Sequence, residues 1–394
     1  MRDLSRLPFT PQEYRERQRC VRAEMAARGI DLLYVTSPPN LQYLTGYEAI
    51  WFPNRLPVGV LLDREREDTR VFDWKRHQPY VASSVFCDAA HYFEYGESAR
   101  VIAAAVAALG RGGARIALES FSLNPSAPVM AALADALRAQ GATLLSGDWV
   151  VDKLRLYKSP AEIERVRRAA AIADRAMLRL RQALKPGLSE AEVSALLNLL
   201  LAQEGSEPAA TPPLVNSGPS AWVDVHAFPS QRRLQAGDVV SVDCCAVVDR
   251  YHANLQRTFV LGPSPTRARA MIAAAAGSIE VLCREARLGE GPERAAAAAV
   301  AYVRERIPAE NIWWVGGYAL GLGSPPSWVG HTYLANDGEE RCELREGYVS
   351  NYENVFYDEL EGFEAGYIDT VVMTASGLEP LSAIPRELLE VALP

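Results

Sequence analysis

Two carboxylates carry the strongest chemical signal in this chain of 394 residues. Asp243 lies inside the apolar run Val239-Val240-Ser241-Val242-Asp243-Cys244-Cys245-Ala246, and Glu353 inside Val349-Ser350-Asn351-Tyr352-Glu353-Asn354. An unpaired carboxylate in an apolar strand is costly, so both are read as functional. Histidine is scarce, with His77, His91, His226, His252 and His331 making five. His226 lies shortly before the Gly237-Asp238 turn, His252 sits in a strand beside Tyr251, and His331 follows the Pro325-Pro326-Ser327-Trp328 loop. His77 and His91 are read as ordinary surface residues. None of the six cysteines belongs to a CxxC pair, so neither a zinc ribbon nor a disulfide framework is expected. Cys244 and Cys245 face opposite sides of one strand and read as small strand residues. The acidic stretch from Asp358 to Glu364 reads as a solvated hairpin tip that could attract a cationic substrate.

The elements that must position these residues follow from periodicity and punctuation. Residues 239–248 and 251–261 are apolar runs joined at Asp249-Arg250, the pattern of a β-hairpin. Residues 347–357 and 367–375 return to strands. Ser159-Pro160-Ala161-Glu162 opens a long helix to about residue 184, with an N-cap, a proline at N1 and an acidic first turn. Ser189 and Glu192 form a capping box for a helix to about residue 203. A helix pair covers 264–288 and 291–306. The first part of the chain alternates helix and strand: helices at 11–28, 101–109 and 128–140, strands at 31–36, 58–62, 115–119 and 143–145. This is an α/β pattern. It carries no G-x-G-x-x-G or Walker A segment, so a nucleotide site is unsupported. A boundary near 153–159 gives domains 1–155 and 156–394.

Composition bounds the rest. A net charge of −8 and a pI near 5.4 argue against a nucleic-acid partner. No apolar stretch approaches the roughly 18–20 residues of a membrane span, and residues 1–18 lack an apolar signal core. The expectation is a soluble, reduced, cytoplasmic protein.

The hairpin, with Tyr251-His252-Ala253-Asn254-Leu255-Gln256-Arg257-Thr258-Phe259 on its second strand, resembles the pita-bread superfamily of methionine aminopeptidase, prolidase, Xaa-Pro aminopeptidase and creatinase. Gly316-Gly317-Tyr318-Ala319-Leu320-Gly321-Leu322, the Glu353 segment and Tyr367-Ile368-Asp369-Thr370 follow in the order of that superfamily. The first domain resembles the N-terminal domain of prolidase and creatinase through residues 31–36 and Asn40-Leu41-Gln42-Tyr43-Leu44-Thr45-Gly46-Tyr47. The fold implied is an α/β creatinase-N-like domain followed by an α+β pita-bread catalytic domain.

The superfamily's peptidases hold two metal ions with two aspartates, a histidine and two glutamates. The resemblance keeps Asp243 and Glu353 but sets Asn254, Tyr318 and Ile368 at the other positions. An amide is a weak ligand, a phenol is poor at neutral pH, and an alkyl group cannot bind metal. No metal and no cofactor is therefore expected, although Asp369, His252 or His331 could build a rearranged single-metal set. The resemblance points to the metal-independent members, creatinase and ectoine hydrolase, through the residues around Tyr251-His252 and through Gly317 to Trp328.

It implies hydrolysis of a C–N bond in a small cationic or zwitterionic compound: a guanidino acid, a cyclic amidine such as ectoine, or an N-acylated amine. His226 falls at the catalytic histidine of creatinase and is expected to activate water. Asp243 and Glu353 would pair with the substrate cation, and Trp222, Trp328 and Tyr318 would offer aromatic faces. Gln256, His252, Asn254 and His331 complete the expected binding residues. Creatinase-like dimers place the small domain of one subunit near the partner's site, where Arg55 could hold a substrate carboxylate. Two other readings remain open: a metal-dependent Xaa-Pro peptidase with an altered ligand set, and a non-catalytic small-ligand binder on the same fold.

Overall fold

Capping and turn chemistry divide the chain into short strands and amphipathic helices. The computed structural model describes residues 7–48, 55–111, 113–221, 226–330 and 342–393. Contacts separate it into two units, Met1–Arg155 and Leu156–Pro394.

The first unit carries helices α1 (Pro11–Ala27), α2 (Pro38–Thr45), α3 (Gln78–Ser84), α4 (Ser98–Ala108), α5 (Ala127–Arg138) and α6 (Asp152–Arg155). Its strands are β1 (Leu32–Val35), β2 (Gly59–Asp63), β3 (Thr69–Trp74), β4 (Ala89–Phe93), β5 (Arg115–Leu118) and β6 (Thr143–Ser146). They form one mixed sheet in the order β4-β3-β2-β1-β5-β6. The proline pair that ends β1 also starts α2, because proline suits the first helical turn. β3 escaped sequence reading because it buries a charge, Asp73, which accepts from the Tyr47 hydroxyl at 2.8 Å. His77 lies 3.1 Å from the same carboxylate, so it is tied to a buried group instead of standing free on the surface.

The second unit is built on α7 (Pro160–Ala183), α8 (Glu190–Gln203), α9 (Thr266–Glu285) and α10 (Glu293–Arg304). Ser159 with Glu162 and Ser189 with Glu192 form the capping boxes that start α7 and α8. Its strands are β7 (Leu214–Ser217), β8 (Val239–Val248), β9 (Tyr251–Leu261), β10 (Ile312–Gly316), β11 (Val349–Asp358), β12 (Phe363–Thr374), β13 (Gly377–Pro380) and β14 (Leu389–Val391). They make an eight-stranded sheet ordered β10-β11-β12-β9-β8-β7, with β13 on β12 and β14 on β9. Asp249 and Arg250 both take positive φ, 49° and 65°, which closes the β8–β9 hairpin in two residues. One face of β11 and β12 packs into an apolar core with α9 and α10, through Tyr348, Tyr352, Phe356, Tyr367 and Val371. The opposite face carries the polar residues described next. Among the described residues, no helix is long and apolar enough to cross a membrane.

Candidate active site

Strand register lays the site out as a single transverse row. Leu214 pairs with Asp243, Asp243 with Gln256, Gln256 with Ile368, and Ile368 with Glu353. Side chains at i and i+2 share a face of a strand, so these positions point to one side of the sheet with Ser241, Asn254, Asn351, Glu364 and Gly366. That side opens into a cavity of about 370 Å³. Asp243, Gln256, Glu353, His226, Tyr318 and Trp328 all line it, together with Ile368, Trp313 and Trp314.

The two carboxyls predicted from sequence are joined by a chain of amides. Asn254 Nδ2 donates to Asp243 Oδ1 at 2.7 Å. Asn351 Nδ2 donates to Asn254 Oδ1 at 3.0 Å and to Glu353 Oε1 at 2.6 Å. Tyr318 and Trp314 also hydrogen-bond Glu353. Trp328 Nε1 donates to the Tyr318 hydroxyl at 3.1 Å, and the Tyr318 backbone N–H donates to Asn351 Oδ1 at 2.8 Å. Burial pushes Asp243 up to about 7, against the pull of its Asn254 bond. Burial, followed by repulsion from Asp243, pushes Glu353 up to about 8. Burial also drives the Tyr318 phenol well above its ordinary range, so it is a neutral donor.

A third carboxyl belongs to the cluster. Glu364 is fully buried, and its oxygens accept from Asn216 Nδ2 at 2.8 Å, Ser241 Oγ at 2.9 Å and Gln256 Nε2 at 3.1 Å. Burial pushes it up to about 7 despite these donors. The expected solvated tip is therefore confined to the middle of the acidic stretch. Leu360 is 89% exposed, while Asp358 and Glu364 at either end are fully buried. Asp358 is occupied by Arg267 and by the Leu360 and Glu361 N–H groups. Glu364 shares its face of β12 with Ile368 four residues on, a signal that period-two reading of that strand could have found.

Two expected binding residues need correction. His252 does not line the cavity. It is fully buried, its Nδ1–H donates to the Arg250 carbonyl at 2.9 Å, and its Nε2 accepts from the Ala210 N–H at 3.1 Å. Burial, with Arg250 nearby, pushes it down to about 3, so it is a neutral structural residue with both nitrogens engaged. Asn254 also stays behind the lining, because its amide is spent on Asp243, the Cys244 carbonyl and Asn351. It positions Asp243 instead of meeting a ligand directly.

His226 stands at the cavity wall, exposed, its ring edge-on to Trp313 at 5.0 Å between centroids. Trp222 and His331 lie outside the described residues. Arg55 is exposed in the first unit. Cys244 and Cys245 are buried with their thiols pushed up by burial, which makes them poor nucleophiles.

The chain carries the sequence pattern of metallopeptidase family M24 across residues 164–375, more than half its length. It belongs to that family. The Creatinase/Prolidase N-terminal domain matches residues 17–157, so the molecule has the creatinase/prolidase architecture, an α/β domain followed by a pita-bread domain. Relatives at full length include the uncharacterised hydrolase/peptidase y4tM of Sinorhizobium fredii, 28% identical over 97% of this chain and 98% of that protein. The ectoine hydrolase of Halomonas elongata is 25% identical over the same shares. The Xaa-Pro dipeptidase of Pyrococcus furiosus is 26% identical over 61% of this chain and 67% of its own. The dipeptidase PepE structure of Mycobacterium ulcerans superposes with a TM-score of 0.82 at 24% identity, covering 98% of this chain and all of that one, which shows the fold.

The M24 name implies metal, and the residues here do not fit a metal pair. Asn254 and Tyr318 direct their polar atoms at the carboxyls and the tryptophan beside them, and Ile368 offers no donor. Asp369 cannot take its place. It pairs across the strand with Tyr352, on the core face, and is held by Arg257 at 2.7 Å. Among the described residues, no three His, Cys, Asp or Glu side chains are grouped to hold an ion.

Proposed function

We propose that this M24 protein is a metal-independent hydrolase of a C–N bond in a small cationic or zwitterionic compound, of the guanidino-acid, cyclic-amidine or N-acyl-amine class. One observation carries the reading. Asp243 and Glu353 line a tryptophan-rich cavity, with Glu364 buried behind its lining residues Asn216, Ser241 and Gln256, and two of the three remaining metal positions, Asn254 and Tyr318, hydrogen-bond Asp243 and Glu353. A carboxyl cluster of this kind is short of positive charge, and a delocalised cation supplies it. The indole and phenol rings add faces suited to such a cation. Full-length similarity to an ectoine hydrolase supports the same class.

In the reaction, water oxygen adds to the electrophilic carbon, the C–N bond breaks, and the departing nitrogen takes up a proton. His226, at the cavity wall, removes the proton from water. Asp243 and Glu353 hold the cation next to that water. Trp222 and His331 are proposed to contribute to substrate binding, and Arg55 to bind a substrate carboxylate across a homodimer.

Metal analysis of the purified protein, with a thermal-shift screen of guanidino, amidine and N-acyl amino compounds, tests this. The expected result is no stoichiometric metal, indifference to chelators, and stabilisation by at least one cationic class. Two tightly held metal ions per chain, lost with activity on chelation, would establish an Xaa-Pro-type peptidase instead.

A further inference from the structure

The metal positions do not account for one group of polar residues in the cavity. Gln256, 4% exposed, lines the cavity, and its Oε1 has no hydrogen-bond partner among the described residues. Its orientation is fixed. Nε2 donates to Ser241 Oγ at 2.8 Å and to Glu364 Oε1 at 3.1 Å, and Ser241 passes its own hydroxyl hydrogen to Glu364. Turning the amide over would set its oxygen against the carboxylate. Gly366 makes the arrangement possible, since a Cβ there would overlap the Gln256 carboxamide. A buried acceptor left unmade costs about 1–3 kcal/mol, and a ligand donor removes that cost.

We infer that Gln256, Ser241, Asn216 and Glu364 form a second subsite, which receives an N–H donor of a substrate carrying two nitrogen functions. The inference rests on reading the cavity as a cation site and adds a second contact to it. Every donor of Gln256 and Ser241 in this group already points at Glu364 or along the chain leading to it, so what Gln256 has left to offer is a buried acceptor, Oε1, backed by a carboxyl. A substrate carboxylate is repelled there, whereas an ammonium, amidine or amide N–H is bound. Glu364 stands close enough to neutrality, at about 7, to ionise when a cation arrives.

The test uses the full chain and two probe series, α,ω-diamines and n-alkylamines of matching length, with n-alkylamidines as a reference. Affinities are read by calorimetry. The wild type is expected to prefer the diamine by about tenfold or more, the worth of one charge-assisted hydrogen bond. In Glu364→Gln and Ser241→Ala the diamine-to-monoamine ratio should fall toward unity. Ser241→Ala decides the matter if Glu364→Gln fails to fold. A ratio that persists in the folded variants overturns the subsite. So does a wild type that binds amidines with no diamine preference, and that result leaves the cation reading standing. Failure of amines and amidines alike sinks both.

Discussion

Replacing Asp243 with asparagine should stabilise the empty protein in alkaline solution while removing a group the proposed chemistry needs. The folded carboxyl sits at about 7 against an ordinary 3.8, raised by burial. A group raised on folding contributes stability below its unfolded value and loses it as pH climbs through the folded one. At about 1.4 kcal/mol per pH unit, the full displacement from 3.8 to about 7 is worth about 4 kcal/mol as a ceiling. The variant has no such group to ionise and keeps an oxygen for the Asn254 amide. It also relieves the repulsion that helps raise Glu353. Urea unfolding of both proteins at intervals from about pH 4 to about pH 9 gives the comparison, read as midpoints at matched m-values. The curves should lie close together near pH 4, separate as pH rises from about 4 to about 7, and stay apart by a constant gap above that, with Asp243→Asn the more stable by up to about 4 kcal/mol. A variant weaker at every pH, or a gap that ignores pH, would refute the reasoning. Either result would mean that ionised Asp243 is already paired, as it would be with a resident metal, where removing one partner costs about 3–5 kcal/mol.

Two further outcomes follow from the site. His226→Ala should lower kcat by about a hundredfold or more with a smaller change in KM, measured on any substrate the screen yields; turnover within about twofold of wild type would remove His226 from the proton transfer. The combined Asn254→Asp, Tyr318→His and Ile368→Glu substitution should create divalent-ion binding measurable by calorimetry with Mn²⁺ or Zn²⁺, because it rebuilds an oxygen and nitrogen donor set around Asp243 and Glu353; no binding by a folded variant would show that the scaffold has lost the geometry as well as the ligands.

The residues that were legible in sequence had strong local signals. The β8–β9 hairpin reads off its two apolar runs and the two-residue turn, and the structure starts and ends these strands at the same residues. Ser159 and Ser189 announce α7 and α8 because a capping box is a local hydrogen-bond pattern. Asp243 and Glu353 stood out because a carboxylate in an apolar strand demands a reason. What could not be read depended on contacts between distant strands. Asn216 comes from β7, four residues long and flanked by prolines, and meets Glu364 148 positions away. Glu364 looked solvated because its neighbours are acidic, yet the pleat turns it inward. His252 looked available because sequence shows a histidine in a strand and does not show that Ala210 and Arg250 engage both of its nitrogens.

The same row of the sheet explains how one scaffold can serve two chemistries. In a metal site, carboxylates stay ionised because the ions neutralise them. Here Asp243 and Glu353 hold comparable places, and the amide chain through Asn254 and Asn351 fixes their positions without adding charge. Burial pushes all three carboxyls toward neutrality, and on the proposed metal-independent reading protons stand where a metal site has cations. A proton is a provisional counter-ion. A cation entering the cavity must displace it, so binding and proton release are coupled, and affinity rises with pH until the carboxyls are ionised. Ile368 fits this logic, since an apolar residue between Gln256 and Glu353 avoids a fourth acid that nothing would neutralise.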